Sequence, residues 1–466
     1  MKVVRAVERA LKERGSTANV AVGVWNFKNM AQVDAFIPDG ITLMFLDYNI
    51  IGGKPDLADP DVRRKLAEMS RRHPVVPVVW AQHDDRHFIG RPYKPYDNLG
   101  DMLSECNAAG FGVIHWMTRP LDFFLFANAR QVLPGAKKES LAEMCDVFAA
   151  ERLKEPELGP YLREWTVNAP IFGRDTTDFF IDRALAPQKD AVVAGCRKRL
   201  RMLEGKGGAN AAYFRCLENF CIAFYEAQSK YEECVAAFRR GDLAAASKLI
   251  SAARPEDAIR LYASFASGKL TKGEKGVLIS LNTKWLVYFH QMRQMLGLEP
   301  VRIKFGETRH EPLAQVPGKY TYFLDEKGQM WQTLGTSETG ADRIFAAPGA
   351  TNEIGRTGIA SDKPFSVELN LVAKSRHGAQ LQPGNYVLRL LVFDAEAAAE
   401  DQRVFKVEVG DGGAAVMVDA LRLAGGANHL AEVEIPVVVK KAGPVTVSFT
   451  PVKGEVIVSG LILSRY

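Results

Sequence analysis

Residues 75–86 read V-V-P-V-V-W-A-Q-H-D-D-R, an apolar run that ends abruptly in a dense polar cluster. An apolar run of this length, without alternation, is typical of a parallel strand that is buried on both faces. Three other segments of the chain show the same pattern. Together the four apolar runs predict strands at 20–25, 42–47, 75–80 and 112–116. Helical stretches lie between them, at 30–36, 61–72 and 99–109. The alternation predicts three βα repeats followed by a fourth strand.

The remaining sequence changes character twice. Between about 121 and 300 the apolar residues recur at helical spacing, notably in 210–240, 243–253, 256–266 and 275–296, which predicts a helical bundle. From about 318 alternating strand patterns dominate, at 365–372, 386–393, 403–409, 431–439, 445–449 and 456–463. Strands at this spacing, separated by Pro-Gly and Gly-Pro turns, predict a β-sandwich. We therefore expect a multidomain α/β, α and β protein with domains at 1–125, 126–317 and 318–466.

Composition argues against several function classes. The 60 Lys and Arg residues are spread along 466 residues, and the net charge of +5 gives little support to nucleic-acid binding. The sequence contains no run of eighteen apolar residues, so we expect no membrane span. The charged N-terminal segment does not resemble a signal peptide. The six cysteines form no CxxC pair, and no phosphate-loop or dinucleotide pattern is present, so we expect neither a metal nor a cofactor.

Polar and aromatic residues follow each predicted strand. Because parallel strands place their carboxyl ends at one edge of a sheet, these residues are expected to form one site. Tryptophan rings suit the C–H faces of sugars, whose hydroxyls need amide, carboxylate, imidazole and guanidinium partners. The predicted substrate-binding residues are Trp25, Asn26, Trp80, His83, Arg86, His115, Trp116 and Arg119.

Three aspartates are the candidate catalytic groups: Asp47, Asp84 and Asp85. Glycoside hydrolysis usually needs two carboxyl groups that flank the scissile bond. Each feature also has a structural interpretation: the tryptophans as core residues, Asp47 as the cap of the next loop, and the arginines as ion-pair partners of the aspartates. A metal-dependent hydrolase that uses Asp47, His83, Asp84 and His115 stays open as a third possibility, although no ligand-spacing motif supports it.

The run G-F-G-V-I-H-W-M-T-R-P-L-D-F-F at 110–124 resembles the last strand of a (β/α)8 glycoside hydrolase that runs into a helix. The following A-N-A-R-Q-V at 127–132 is similar to helical extensions in α-glucuronidase families 67 and 115 and in α-N-acetylglucosaminidases. The resemblance implies a partial barrel that holds the last four strands. It also implies that the missing half is an upstream half-barrel or a second copy. No glutamate follows any of the four strands, so the family's catalytic residues are not carried over.

Three C-terminal segments resemble malectin-like modules: P-G-N-Y-V-L-R-L-L-V-F-D at 383–394, D-Q-R-V-F-K-V-E-V at 401–409 and V-I-V-S-G-L-I-L at 456–463. That resemblance implies carbohydrate binding, or a sandwich that packs on a catalytic domain. The family resemblances together imply a periplasmic or extracellular location.

The sequence therefore predicts a glycoside hydrolase-type protein that acts on an oligo- or polysaccharide, with uronic-acid-containing chains among the candidate substrates. The alternative is a non-catalytic carbohydrate-binding or scaffold protein, and activity on a panel of glycosides separates the two.

Overall fold

A computed structural model describes the chain except for residues 1, 48–54, 82–88, 91–93, 115–120, 134, 137, 173–185, 267–271, 307–320, 348–349, 351–353, 370–380, 411–414 and 427–428. The chain forms two compact units, Met1–Tyr225 with Asp257–Ser280, and Glu226–Glu256 with Leu281–Tyr466. These units do not follow the predicted boundaries after residues 125 and 317. The three-domain division stays a prediction.

The first unit contains a parallel sheet of four strands: β1 (Ala21–Val24), β2 (Thr42–Asp47), β3 (Val75–Trp80) and, later in the chain, β5 (Gly112–Ile114). Their spatial order is β1-β2-β3-β5, and every neighbouring pair is parallel. The four predicted strands are therefore present. No closed barrel is formed by the residues that the structure describes. A short antiparallel pair joins β4 (Ile89–Gly90) to β6 (Ile171–Phe172).

Pro77 lies in the middle of β3, a position that sheet centres normally exclude because proline cannot donate a ladder hydrogen bond. Successive residues of β3 face β2 and β5 in turn: Leu43 N–H donates to Pro74 O, and Ala81 N–H donates to Ile114 O. By this alternation Pro77 faces the β5 side. There the partner strand begins only at Gly112, opposite Val78, so the missing N–H leaves no ladder bond unmade.

Helices cover this sheet and extend the first unit, and the last helix of the series continues into the second unit at residue 226. They are α1 (Lys2–Glu13), α2 (Phe27–Val33), α3 (Pro60–Met69), α4 (Leu99–Glu105), α5 (Leu121–Val132), α6 (Leu141–Phe148), α7 (Gly159–Asn168), α8 (Lys189–Met202) and α9 (Ala209–Arg239). Phe45, Leu66, Val75 and Leu99 are among the residues that fill the core between sheet and helices. The prediction of strands buried on both faces holds for β3, whose described residues are buried or half-buried. It is wrong for β1, in which Ala21 and Gly23 are exposed, and β2 alternates half-buried with buried residues.

The long helix α9 begins on a buried carboxylate. Glu155 accepts hydrogen bonds from the backbone N–H groups of Asn210 (2.9 Å) and Ala211 (3.1 Å) and from the Asn210 side chain (2.8 Å). A carboxylate satisfies the free N–H groups of a first helical turn and complements the helix dipole. The remaining helices are α10 (Leu243–Ala252), α11 (Pro255–Ala266), α12 (Lys272–Ser280) and α13 (Val287–Met295). The described residues between 121 and 295 are mainly helical, as predicted.

The second unit is rich in antiparallel strands. They are β7 (Val301–Phe305), β8 (Thr321–Leu324), β9 (Met330–Leu334), β10 (Arg343–Ala346), β11 (Thr357–Ser361), β12 (Phe365–Leu369), β13 (Gly384–Phe393), β14 (Val404–Val409), β15 (Ala415–Asp419), β16 (Leu430–Val439), β17 (Val445–Lys453), β18 (Val456–Val458) and β19 (Gly460–Arg465). Short helices α14 (Thr336–Thr339) and α15 (Ala420–Ala424) interrupt them.

These strands form three sheets, ordered β16-β13-β19-β7-β9-β8, β12-β17-β14-β15 and β10-β11-β18. The inward residues of β12 are buried and its outward ones exposed, and Phe365 stacks on Phe449 of β17 with ring centroids 4.9 Å apart. Strand β7 pairs with β19, so the six-stranded sheet includes residues that precede position 318. None of the helices in the described ranges is long and apolar enough to cross a membrane.

Candidate functional site

The parallel register brings the ends of the four strands to one edge of the first sheet. Val24 lies beside Phe45, Asp47 beside Val79, and Trp80 beside Ile114. Trp25 and Asn26, which follow β1, and Asp47, which ends β2, therefore lie at the carboxyl edge, where open parallel sheets bind their ligands.

Trp25 and Asn26 occupy the turn from β1 into α2. The Trp25 side chain is 60% exposed, which is unusual for an indole. The Asn26 side-chain oxygen accepts a hydrogen bond from Asn29 N–H at 2.8 Å and so caps α2. Asn26 thus fixes the backbone that presents Trp25.

Asp47 ends β2 and is fully buried. Its Oδ1 accepts a hydrogen bond from Asp56 N–H (2.7 Å), and its Oδ2 accepts from Leu57 N–H (2.9 Å) and from the Tyr96 hydroxyl (3.2 Å). These bonds hold the 3₁₀ turn Asp56–Ala58 against the strand end. Asp47 therefore performs the loop-capping role that the sequence offered as its structural interpretation.

The Asp47 contacts continue to the neighbouring strand end. Asp56 Oδ2 accepts a hydrogen bond from Phe27 N–H at 3.3 Å, in the first turn of α2. The carboxylates of Asp47 and Asp56 thereby link the turn after β1 to the turn after β2, and Trp25 sits beside this linkage. Neighbouring loops that are connected in this way form a preorganised edge.

Burial shifts the pKa values of Asp47 and Tyr96. Desolvation raises the pKa of Asp47 from 3.8 to about 6, against the lowering effect of the two backbone hydrogen bonds and of Tyr96, while the nearby Asp56 charge adds to the rise. Desolvation also raises the pKa of Tyr96 well above 10, with the charge of Asp47 acting in the same direction. At neutral pH Asp47 is therefore a buried carboxylate that accepts three hydrogen bonds.

The raised pKa of Asp47 predicts a pH dependence of stability. Between about pH 4 and 6 the folded chain holds a proton that the unfolded chain has released, so this contribution is present at low pH and is lost as pH rises through 6. Asp47→Asn removes the titration. We expect the wild-type free energy of unfolding to lose about 2 kcal/mol from pH 4.5 to 7 relative to the variant.

Urea unfolding at the two pH values measures this difference. Asp39→Asn is the matched control, since Asp39 is exposed and pairs with Arg72 at 2.8 Å before β2. If Asp47→Asn follows the wild-type pH profile as closely as this control does, the raised pKa of Asp47 is contradicted.

Three residues of this edge were missed by the sequence reasoning. Tyr96 N–H donates to Asn128 Oδ1 (3.3 Å), while Gln131 Nε2 donates to Tyr96 O (2.7 Å) and Gln131 Oε1 accepts from Leu99 N–H (2.7 Å). Asn128 and Gln131 lie three residues apart on α5, a helix whose only other polar residues are Asp122 and Arg130, and that spacing was the available signal. They hold Tyr96 in place under Asp47.

The other predicted site residues lie outside the part of the chain whose side chains the structure describes. Trp80 ends β3, but its side chain lies outside the described residues, as do His83, Asp84, Asp85, Arg86, His115, Trp116 and Arg119. Within the described ranges no three His, Cys, Asp or Glu side chains are placed to hold a metal ion. The third possibility, a metal-dependent hydrolase, needs His83, Asp84 and His115 and therefore stays untested.

No protein-family profile matches the chain. No curated protein matches it either. Solved structures that resemble it include a family GH115 4-O-methyl-α-glucuronidase described as specific for decorated arabinogalactans. That match has 11% identity and a TM-score of 0.37, and it covers 100% of this chain and 61% of the enzyme. One of the α-glucuronidase families that the sequence resembles is thus among the similar structures, with a weak score.

Two further structures are similar over about a third of the chain. The ANX2 ectodomain from Arabidopsis thaliana matches with 13% identity and a TM-score of 0.26, over 35% of this chain and 48% of that one. A Bacteroides uniformis β-glucuronidase matches with 12% identity and a TM-score of 0.25, over 36% of this chain and 18% of that enzyme. The chain spans about half the length of the ectodomain and less than two thirds of the GH115 enzyme.

Proposed function

We propose that this chain is a carbohydrate-active protein of the glycoside hydrolase type, and that the carboxyl edge of the parallel sheet binds its polysaccharide. The observation that carries the proposal is the exposed Trp25 ring beside the Asp47–Asp56 linkage. An exposed indole next to a fixed polar edge suits a sugar ring, which offers an apolar C–H face and a rim of hydroxyls.

The roles of the aspartates follow from their surroundings. Asp47 has no exposed surface and accepts three hydrogen bonds, which favours a positioning role over the catalytic one that the sequence suggested. Asp84 and Asp85 follow β3, the strand next to Asp47, and are the proposed acid–base carboxyl groups. Trp80, His83, Arg86, His115, Trp116 and Arg119 are the proposed partners of the sugar. Arginine suits the carboxylate of a uronic acid because its planar fork binds carboxylates in a bidentate manner.

The finer architecture belongs to the same proposal. The four-stranded parallel sheet is half of an eight-stranded (β/α)8 barrel, completed by a complementary half-barrel or a second copy. The sheets of the second unit form a malectin-like sandwich. Such a protein acts in the periplasm or outside the cell.

The alternative function is non-catalytic carbohydrate binding or scaffolding. The burial of Asp47 favours it, because a carboxyl group without exposed surface does not reach a glycosidic oxygen. In this alternative the carboxyl edge binds sugar through Trp25 but cleaves no glycosidic bond.

The test compares Trp25→Ala with Phe36→Ala. Phe36 is 63% exposed but lies in the 3₁₀ turn Asp34–Phe36, which leads back to the start of β2 at the opposite edge. Against a panel of neutral and uronic-acid polysaccharides, we expect Trp25→Ala to weaken binding of the best ligand by about tenfold or more. Phe36→Ala should bind as the parent does.

Affinity gel electrophoresis with each polysaccharide in the gel measures the effect. Equal retardation of both variants and the parent excludes the carboxyl edge. Binding that depends on Trp25, without release of reducing ends, supports the alternative function.

A further inference from the structure

The six-stranded sheet of the second unit has one core face and one outer face, and the outer face carries a smaller apolar cluster of Trp331 and Leu391 against which Ile462 packs. On the core face Ile303, Leu388 and Leu463 are buried. Because successive side chains of a strand point to opposite faces of the sheet, the residues next to these three point to the outer face. The register places Glu434, Arg389, Ile462 and Arg302 opposite one another, in a row across strands β16, β13, β19 and β7. Two arginines thus flank one aliphatic side chain on the outer face.

Arg302 uses few of its hydrogen-bond donors. Its Nη1 donates to Pro300 O at a long 3.4 Å, and no carboxylate of the described chain lies within ion-pair distance of it. A guanidinium has five N–H donors, and no nitrogen of Arg302 is among the buried polar atoms that lack a partner, so its unused donors reach solvent. Burial lowers the pKa of Arg302, although the charges of Glu299 and Asp325 oppose the shift. An anion on this face would therefore meet solvent-facing donors on a partly desolvated guanidinium.

The two acids near Arg302 are engaged elsewhere. Glu299 contacts His290 Nδ1 at 2.8 Å and Arg293 at 3.3 Å. Asp325 accepts hydrogen bonds from Trp331 Nε1 at 3.0 Å and from the backbone of its own turn. Neither carboxylate therefore supplies the partner that the Arg302 fork lacks.

Arg389 is also weakly held. Its side chain is 41% exposed, its Nη2 donates to Glu434 at 3.4 Å, and its Nε lies 3.4 Å from Glu432 without making a hydrogen bond. Exposed pairs at such distances contribute little, so an incoming carboxylate competes with them readily. Arg389 and Arg302 are separated by two strand spacings, about 10 Å.

We propose that this row, Arg389–Ile462–Arg302, is a second carbohydrate-binding site that takes sugars bearing a carboxylate. The two guanidinium forks receive carboxylates, and Ile462, with Val387 of the neighbouring strand, offers the apolar contact for a sugar ring. Half-buried Ser464 lies two residues from Ile462 on the same face and supplies a hydroxyl. The substrate class rests on the proposed function, but the site is separate from the edge that carries Trp25.

The test titrates the whole chain with oligoglucuronate by calorimetry. Arg302→Gln and Arg389→Gln should each weaken binding about tenfold, the loss of one charge-assisted hydrogen-bonded pair. The double variant should lose the site. Arg302→Lys keeps the charge but not the fork and should give a partial loss. Arg422→Gln is the matched control, since Arg422 is exposed, lies in the short helix α15 and pairs with Asp401.

Two further measurements test whether the site binds the carboxylate of the sugar. Glu434→Gln should tighten binding, because it frees Arg389 from a competing carboxylate. Oligoglucuronate whose carboxyl groups have been reduced to alcohols lacks the anion that the arginines bind. Its affinity for the parent chain should therefore be as low as the affinity of unreduced oligoglucuronate for the double variant. Near-ultraviolet circular dichroism confirms that each variant keeps its packing.

Several results would overturn the proposal. They are parent-like affinity in the double variant, equal affinity for the reduced oligosaccharide, or tighter binding of oligoglutamate, which would assign the face to an acidic protein. If Trp25→Ala abolishes binding and both arginine variants leave it intact, the proposed function stands and the second site is wrong. If no polysaccharide of the panel binds, both are wrong.

Discussion

Glu218→Gln should destabilise the first unit by about 3–5 kcal/mol, the cost of breaking a buried ion pair by removing one charge. Arg199 and Glu218 each expose 1% of their side chains. Glu218 Oε1 accepts from Arg199 Nε (2.7 Å) and from the Tyr161 hydroxyl (2.9 Å), and its Oε2 accepts from Arg199 Nη2 (3.0 Å). Burial alone would lower the pKa of Arg199, but the hydrogen bonds and charge of Glu218 raise it. Glutamine keeps the volume and leaves the guanidinium charge unbalanced.

Urea unfolding followed by tryptophan fluorescence measures this loss. Glu164→Gln is the control, since Glu164 pairs with Lys198 at 3.1 Å on the neighbouring stretch of α7 and α8, where the pair is far more exposed. It should cost less than about 1 kcal/mol. Arg199→Met combined with Glu218→Leu should recover most of the stability, because an apolar pair removes both buried charges. A cost for Glu218→Gln as small as that of the control would contradict the buried-pair account.

The parallel sheet could be predicted because each strand is a short apolar run bounded by turn residues. The burial of each face could not be predicted in the same way, since β1 alternates exposed with half-buried residues. The strands of the second unit that alternate strictly, such as β12 and β16, were likewise predictable from their pattern. Strand β7 was missed. Its V-R-I-K-F pattern alternates over only five residues, and its place in the sheet is set by pairing with β19, more than 150 positions later.

The candidate site was only partly predictable. The sequence places Trp25 and Asp47 at neighbouring strand ends, and the register of β1 and β2 agrees. It does not reveal that Tyr96, 49 residues beyond Asp47, donates to that carboxylate, because a contact at this separation depends on how α5 packs. Nor does it distinguish the buried, capping Asp47 from an exposed carboxylate, since burial is a property of the whole unit.

Loss of the acid–base group is the largest effect expected on activity. Asp84→Asn or Asp85→Asn should lower turnover of a cleaved polysaccharide by about 10²–10⁴-fold, because the amide keeps the shape of the side chain but neither gives nor takes a proton. Adjacent residues of an extended segment point in opposite directions, so one of the two is expected to act on the bond and the other to support it. The variant of the supporting residue should show the smaller loss. Melting should change little in either variant.

Release of reducing ends from a uronic-acid polysaccharide tests the central claim most directly, since that claim is that the carboxyl edge of the parallel sheet is a glycoside hydrolase site. The parent chain, Asp84→Asn, Asp85→Asn and the opposite-edge control Asp39→Asn are compared at equal concentration. The account predicts turnover by the parent and by Asp39→Asn, and loss of turnover in at least one of the other two. Turnover that is equal in all four chains, or a parent that binds the polysaccharide and never cleaves it, would contradict the claim.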